Sequence, residues 1–95
     1  MLAFLKRLLA KPPRQRTDLH FVLYTRETCP LCDEAFELLG RWQKVYGFAI
    51  ETKNVDADQE LVCSYGNCVP VVEINGKVRF RGHVNEVLLR RILEH

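Results

Sequence analysis

Ninety-five residues, 47% hydrophobic and 27% charged, make one small domain with a core of its own. The formal charge of +2 is too small to argue for a nucleic-acid partner, and no apolar run approaches the ~18–20 residues of a membrane span. Four cysteines, Cys29, Cys32, Cys63 and Cys68, lie in a chain otherwise patterned as regular helices and strands. That pattern argues against a disulfide scaffold and for a reducing, cytoplasmic setting, in which a Cys-x-x-Cys pair is catalytic or metal-binding.

The first segment has a character of its own. Met1 to Arg16 carries Lys6, Arg7, Lys11, Arg14 and Arg16, with no acid before Asp18. Leu2, Leu5, Leu8 and Leu9 recur at three- and four-residue spacing, which predicts a short cationic amphipathic helix ending before Pro12-Pro13. The order of a secretory signal is missing. Packing on the domain or a tail is the plain reading; a membrane-surface anchor or a docking arm for a partner is the sharper one. We take 1–16 as an extension and 17–95 as the domain.

His20 to Thr25 is a short apolar run of β-formers and predicts a buried strand. Pro30 suits the first turn of a helix, where its missing N–H costs nothing, and Asp33 and Glu34 complement the dipole there. Ala35, Leu38, Leu39, Trp42, Val45 and Tyr46 form the inward stripe, and Gly47 ends the helix. Phe48 to Val55 reads as a second strand. Asp56 with Gln59 resembles a capping box opening a short helix through Leu61, Val62 and Tyr65, which Gly66-Asn67 stops. Val71 to Ile74 and Val78 to Phe80 flank Asn75-Gly76, a strong hairpin signal. In the second arm Lys77 and Arg79 alternate with Val78 and Phe80, which predicts one wet and one buried face. Val84, Val87, Leu88 and Ile92 make the stripe of a closing helix. The order after the extension is βαβαββα: an α/β fold with a four-stranded mixed sheet flanked by helices, preceded by the extra N-terminal helix.

Chemistry concentrates where the first strand meets the first helix. A cysteine at a helix N-terminus faces unpaired N–H groups and the positive end of the dipole, which stabilise a thiolate. Cys29 stands there, and Cys32, one turn on and nearer the buried side, is the natural resolving thiol. Arg26 adds positive charge three residues before Cys29, while Asp33 and Glu34 work against it. Val69-Pro70 precedes the third strand, where a proline does not interrupt the ladder.

Strand, Thr28-Cys29-Pro30-Leu31-Cys32, helix, then Val69-Pro70 before an Asn-Gly hairpin resembles a glutaredoxin, and more closely the small glutaredoxin-like bacterial proteins. The resemblance covers roughly 20–93 and implies a thioredoxin-like fold and thiol–disulfide oxidoreductase activity, with Cys29 and Cys32 catalytic. It implies a cis Val69–Pro70 bond facing the dithiol, with the Val69 backbone hydrogen-bonding an incoming peptide or glutathione. Arg26 and Thr28 would belong to the same binding site, Arg26 near the glycyl carboxylate of glutathione. No tightly bound cofactor is implied, glutathione serving as co-substrate. The partners implied are a disulfide-bearing protein or glutathione mixed disulfide and a reductase, and the protein is expected to be a monomer. The sequence departs from the family in two places. Arg81-Gly82-His83-Val84-Asn85 has one glycine where glutaredoxins carry two followed by an acid, and Leu31 replaces the usual aromatic. Glutathione dependence therefore stays open.

Cys63 and Cys68 admit three readings: semi-buried free thiols, a second redox pair, or, with Cys29 and Cys32, ligands of one metal. The rival class for the whole chain is a non-enzymatic thioredoxin-fold adaptor or a metal or iron–sulfur carrier. His20, His83 and His95 show no ligand spacing. Lys77, Arg79, Arg81, Arg90 and Arg91 read as a solvated face able to attract anionic glutathione or an acidic partner.

Overall fold

The computed structural model describes residues 13–95; the amphipathic helix expected before Pro12 lies outside the described residues. Strand β1 (His20–Thr25) leads into helix α1 (Pro30–Tyr46), strand β2 (Ala49–Asn54), a 3₁₀ turn (Val55–Ala57) and helix α2 (Gln59–Tyr65). Strands β3 (Val71–Ile74) and β4 (Lys77–Arg81) follow, then helix α3 (Glu86–Glu94). The strands form one sheet in the order β2-β1-β3-β4, with β1 parallel to β2 and antiparallel to β3, and β3 antiparallel to β4. Thioredoxin-like topology results, a mixed sheet with helices on both faces.

An apolar run serves β1 because it is an inner strand, buried on both sides. Phe21 and Leu23 face α1 and α3 and join Ala35, Leu39, Phe80, Leu89 and Leu93 in the larger core. Phe48, just before β2, stacks on Phe21 at 4.1 Å between ring centroids. Val22 and Tyr24 face the other way, onto Val55 and Val71, with Leu61 and Tyr65 of α2 packed over them. Gly47 closes α1 in the left-handed conformation (φ 70°), its N–H donating to the Gln43 carbonyl.

Arg16 belongs to this framework. Its guanidinium is buried and donates to the carbonyls of Ile92 (3.0 Å) and Leu93 (2.8 Å) at the end of α3, and also holds Asp18 at 3.1 Å. A cation there satisfies carbonyls that have no partner within the helix. The hairpin is as expected: Asn75 (φ 51°) and Gly76 (φ 82°) both take the positive φ that a type I′ turn demands. The Asn75 side chain accepts from His20 N–H at 2.7 Å and donates to the Asp18 carbonyl, tying the turn to the start of β1.

Three expectations need correction. Val78 and Phe80 do not share a face. The β3–β4 register shifts between Val72 and Glu73, pairing Phe80 with Val72 and Val78 with Glu73, so Arg79 is the extra residue of a bulge. Phe80 enters the larger core and Val78 packs against the smaller one. The closing stripe is also displaced. Asn85 caps α3, its Oδ1 accepting from Leu88 N–H, so Val84 is buried ahead of the helix rather than in its period. Leu89 and Leu93 then point inward, leaving Val87 and Leu88 exposed by 60% and 47%. Finally, Asp58 caps α2 by accepting from Glu60 N–H, and Asn54 caps the 3₁₀ turn by accepting from Asp56 N–H. Asp56, the expected cap, is engaged elsewhere.

Candidate dithiol site

The chain leaves β1 at Thr25 and must turn sharply to begin α1 at Pro30. Thr28 makes the turn at φ 54°, an unusual conformation for a β-branched residue. Cys29 follows in extended conformation as the N-cap, with Pro30 at the first helical position. Its Sγ accepts from Cys32 N–H at 3.2 Å. The two cysteines are joined as a disulfide with Cα atoms 5.2 Å apart, within the span such a bond requires. Cys32 is 1% exposed, whereas Cys29 is only half-buried and meets solvent beside the exposed Leu31.

Val69–Pro70 is cis. Because β3 runs antiparallel to β1 with Val71 opposite Tyr24, this bond lies at the end of the sheet from which the Cys29 turn departs. Gly82 N–H donates to the Pro70 carbonyl at 2.7 Å, with Gly82 at φ 74°, so the loop after β4 is held against the same end. Between that loop and α1 runs an open groove of about 210 Å³, walled by Leu31, Ala35 and Leu38 on one side and Gly82, His83 and Val84 on the other.

Arg26 directs its donors at Asp56 (Nη2–Oδ1 2.7 Å, Nε–Oδ2 3.1 Å) and at the Gly66 carbonyl (Nη1–O 2.8 Å). The guanidinium's hydrogen bonds hold the Asp56 carboxyl below the usual carboxylate range, and the same bonds raise Arg26 in turn. Thr28 is exposed. Cys63 is an exposed free thiol on α2 and Cys68 a half-buried one, with Arg81 Nη1 3.7 Å from its Sγ. The two are not bonded to each other. Among the described residues no three His, Cys, Asp or Glu side chains converge as a metal site.

Behind the site lies a polar network absent from the sequence expectations. Glu73 Oε1 accepts from Tyr24 Oη at 2.9 Å and Tyr65 Oη at 3.3 Å. Burial, reinforced by Glu73, pushes the Tyr24 phenol up to about 12. The one available signal was a glutamate inside the apolar run Val71-Val72-Glu73-Ile74. The Asp56 partner of Arg26 left no local signal, since thirty residues separate the two.

A thioredoxin-like sheet with a cysteine pair at disulfide distance on the N-terminus of its first helix defines the class: a thiol–disulfide redox protein. Within it, the chain belongs to the glutaredoxin-like domain family (DUF836), whose model matches residues 20–94. It is 38% identical over 63 residues to a protein of Methanothermobacter thermautotrophicus described as a probable thioredoxin, covering 63% of this chain and 74% of that one. Among solved structures, a solution structure of a Nitrosomonas europaea protein is similar at 27% identity and TM-score 0.70, over 88% of this chain and 94% of that one. An X-ray structure of a protein from X. campestris is similar at 30% identity and TM-score 0.64, over 77% and 93%. Among the described residues no helix is long and apolar enough to cross a membrane.

Proposed function

We propose that this chain is a thiol–disulfide oxidoreductase in which Cys29 attacks and Cys32 resolves. The observation that carries the reading is the asymmetry of the pair: Cys29 is half-exposed at the helix cap, and Cys32 is buried one turn on. Attack needs an accessible thiolate, which the helix N-terminus favours, and resolution needs a thiol that outside disulfides do not reach first. In the reductive direction the Cys29 thiolate displaces one sulfur of a substrate disulfide as a thiolate, forming a mixed disulfide. Cys32, on losing its proton, attacks the Cys29 sulfur and releases the second substrate thiolate. The substrate gains two electrons and the protein ends as the Cys29–Cys32 disulfide, reduced again by two thiols of glutathione or by a reductase dithiol.

Protein disulfides are the favoured substrate class over glutathione mixed disulfides. Two features support this. Arg26, the cation expected for a glutathione carboxylate, is occupied by Asp56 and Gly66. The loop after β4 offers no acid for an ammonium, and the Asn85 side-chain oxygen is taken by the α3 cap. The groove beside Leu31 combines the apolar Leu31, Ala35, Leu38 and Val84 with Glu34, Arg41, His83 and Glu86, a mixed lining suited to an extended peptide segment around the substrate cysteine.

The test is equilibration in glutathione buffers of graded potential, followed by alkylation and mass mapping. The expected result is a Cys29–Cys32 disulfide titrating near the ~−200 to −270 mV of glutaredoxins and thioredoxin, with exchange abolished by Cys29→Ser. Full activity in that variant would refute the assignment.

A further inference from the structure

Helix α1 carries an open hollow of about 520 Å³ whose lining comes from that helix alone. Gly40 lies within it, in mid-helix and with ordinary helical backbone. A glycine there costs the helix stability relative to alanine, and nothing in the fold calls for it. Among the described residues a Cβ at position 40 would meet no atom within 4 Å. One turn earlier Phe36 is 54% exposed, outside the apolar face that α1 turns to the core. A projecting ring beside a missing side chain is a shape that a second helix fits, the glycine admitting its close approach.

The charges say which helix. Glu34 and Glu37 border the hollow towards the N-terminus of α1, Arg41 and Lys44 towards its C-terminus, and all four are exposed. Among the described residues none of them takes part in an ion pair, not even Glu37 and Arg41 at the i, i+4 spacing that favours one. A row with acids in one half and bases in the other is complementary to itself turned end for end. A second α1 laid antiparallel sets Glu34 and Glu37 against Lys44 and Arg41 of the other copy, and two-fold symmetry repeats the match. A parallel partner would set like charges together. The substrate groove uses another flank of the helix, through Leu31, Ala35 and Leu38, and shares only Glu34 and Arg41 with the hollow. Antiparallel helices also send their N-termini, and with them the two dithiols, to opposite ends of the pair.

We propose that the Phe36–Gly40 face of α1 is a self-association surface. Two copies meet through antiparallel α1 helices, Phe36 of each entering the hollow at Gly40 of the other. A contact confined to one helix face lies at the small end of protein interfaces. The dimer is therefore weak, and the monomer expected by resemblance is its dilute form.

The experiment is sedimentation equilibrium of the full chain over a wide range of concentration, with a thiol reductant present so that the exposed Cys63 does not join copies covalently. A reversible monomer–dimer equilibrium is expected. Phe36→Ala should weaken it roughly tenfold or more. Gly40→Leu should weaken it as well while raising the thermal midpoint of the dilute monomer, since leucine fills the hollow and favours the helix. Glu37→Arg and Arg41→Glu should each weaken association alone and restore it when mixed, because only the mixture sets opposite charges against each other at both positions. A parent chain monomeric throughout, undiminished association of Phe36→Ala or Gly40→Leu, or a mixture that associates no better than its components would each overturn the proposal.

Discussion

Arg26 and Asp56 meet as a two-pronged pair, Nη2 2.7 Å from Oδ1 and Nε 3.1 Å from Oδ2, and so join the turn before the dithiol to the turn before α2. Because the pair holds Asp56 below its usual range, its stabilisation is present above the ordinary carboxylate pKa of about 3.9 and lost as pH falls through the lower folded value. Asp56→Asn is therefore expected to lower the urea midpoint at neutral pH, with the two midpoints converging in acid. It also releases Arg26. The rate with glutathione mixed disulfides should rise relative to that with a protein disulfide, and an unchanged ratio would exclude Arg26 from substrate selection.

Cys32→Ser removes the buried thiol and leaves the attacking one in place. The variant should accumulate a mixed disulfide with its substrate at Cys29, visible by mass and reversed by reductant. Adducts appearing instead on Cys63 or Cys68 would move the chemistry to those thiols.

Most of the path to this site was legible locally. Pro30 after a cysteine announced the helix start, Asn75-Gly76 the hairpin and Gly47 the end of α1, since each answers a constraint within a few residues. What escaped depends on distance. The β4 bulge is a matter of how β4 pairs with β3, and nothing within Lys77-Val78-Arg79-Phe80 marks it. The phase of α3 is hidden in the sequence because Val84 lies before the Asn85 cap, yet is buried as though it belonged to the stripe. Sequence proximity sets Arg26 beside Cys29, whereas its partners, Asp56 and the Gly66 carbonyl, come from the start and end of the α2 region.

Thr28 turns the chain into the site at φ 54°. Left-handed backbone costs an L-residue roughly 1–2 kcal/mol, part of which glycine returns through the greater freedom of its unfolded chain. Thr28→Gly is expected to raise stability by about 0.5–1 kcal/mol in urea denaturation. A loss of that size would show that contacts of the threonine side chain outweigh the backbone.

Tyr24 is expected to be the last tyrosine to ionise. Its phenol is neutral when buried against Glu73 and is pushed up to about 12, so between pH 10 and 12 the folded chain keeps a proton that the unfolded chain gives up. Stability from this source is complete below about pH 10 and is lost as pH rises towards 12. Burial beside Glu73 pushes the Tyr65 phenol up as well, so absorbance titration should show two delayed phenols, the later of them absent in Tyr24→Phe. That variant should also lose roughly 1 kcal/mol with the Glu73 hydrogen bond.

The bulge at Arg79 has a consequence for the rim of the sheet. β4 is a boundary strand, and a straight boundary offers a row of unsatisfied N–H and C=O groups on which a second chain can lay a strand. Here the row is broken midway, and Lys77, Arg79 and Arg81 place a positive charge at alternate positions along its five residues. On the proposed function, which brings the chain repeatedly against other polypeptides, this border discourages them from adding a strand.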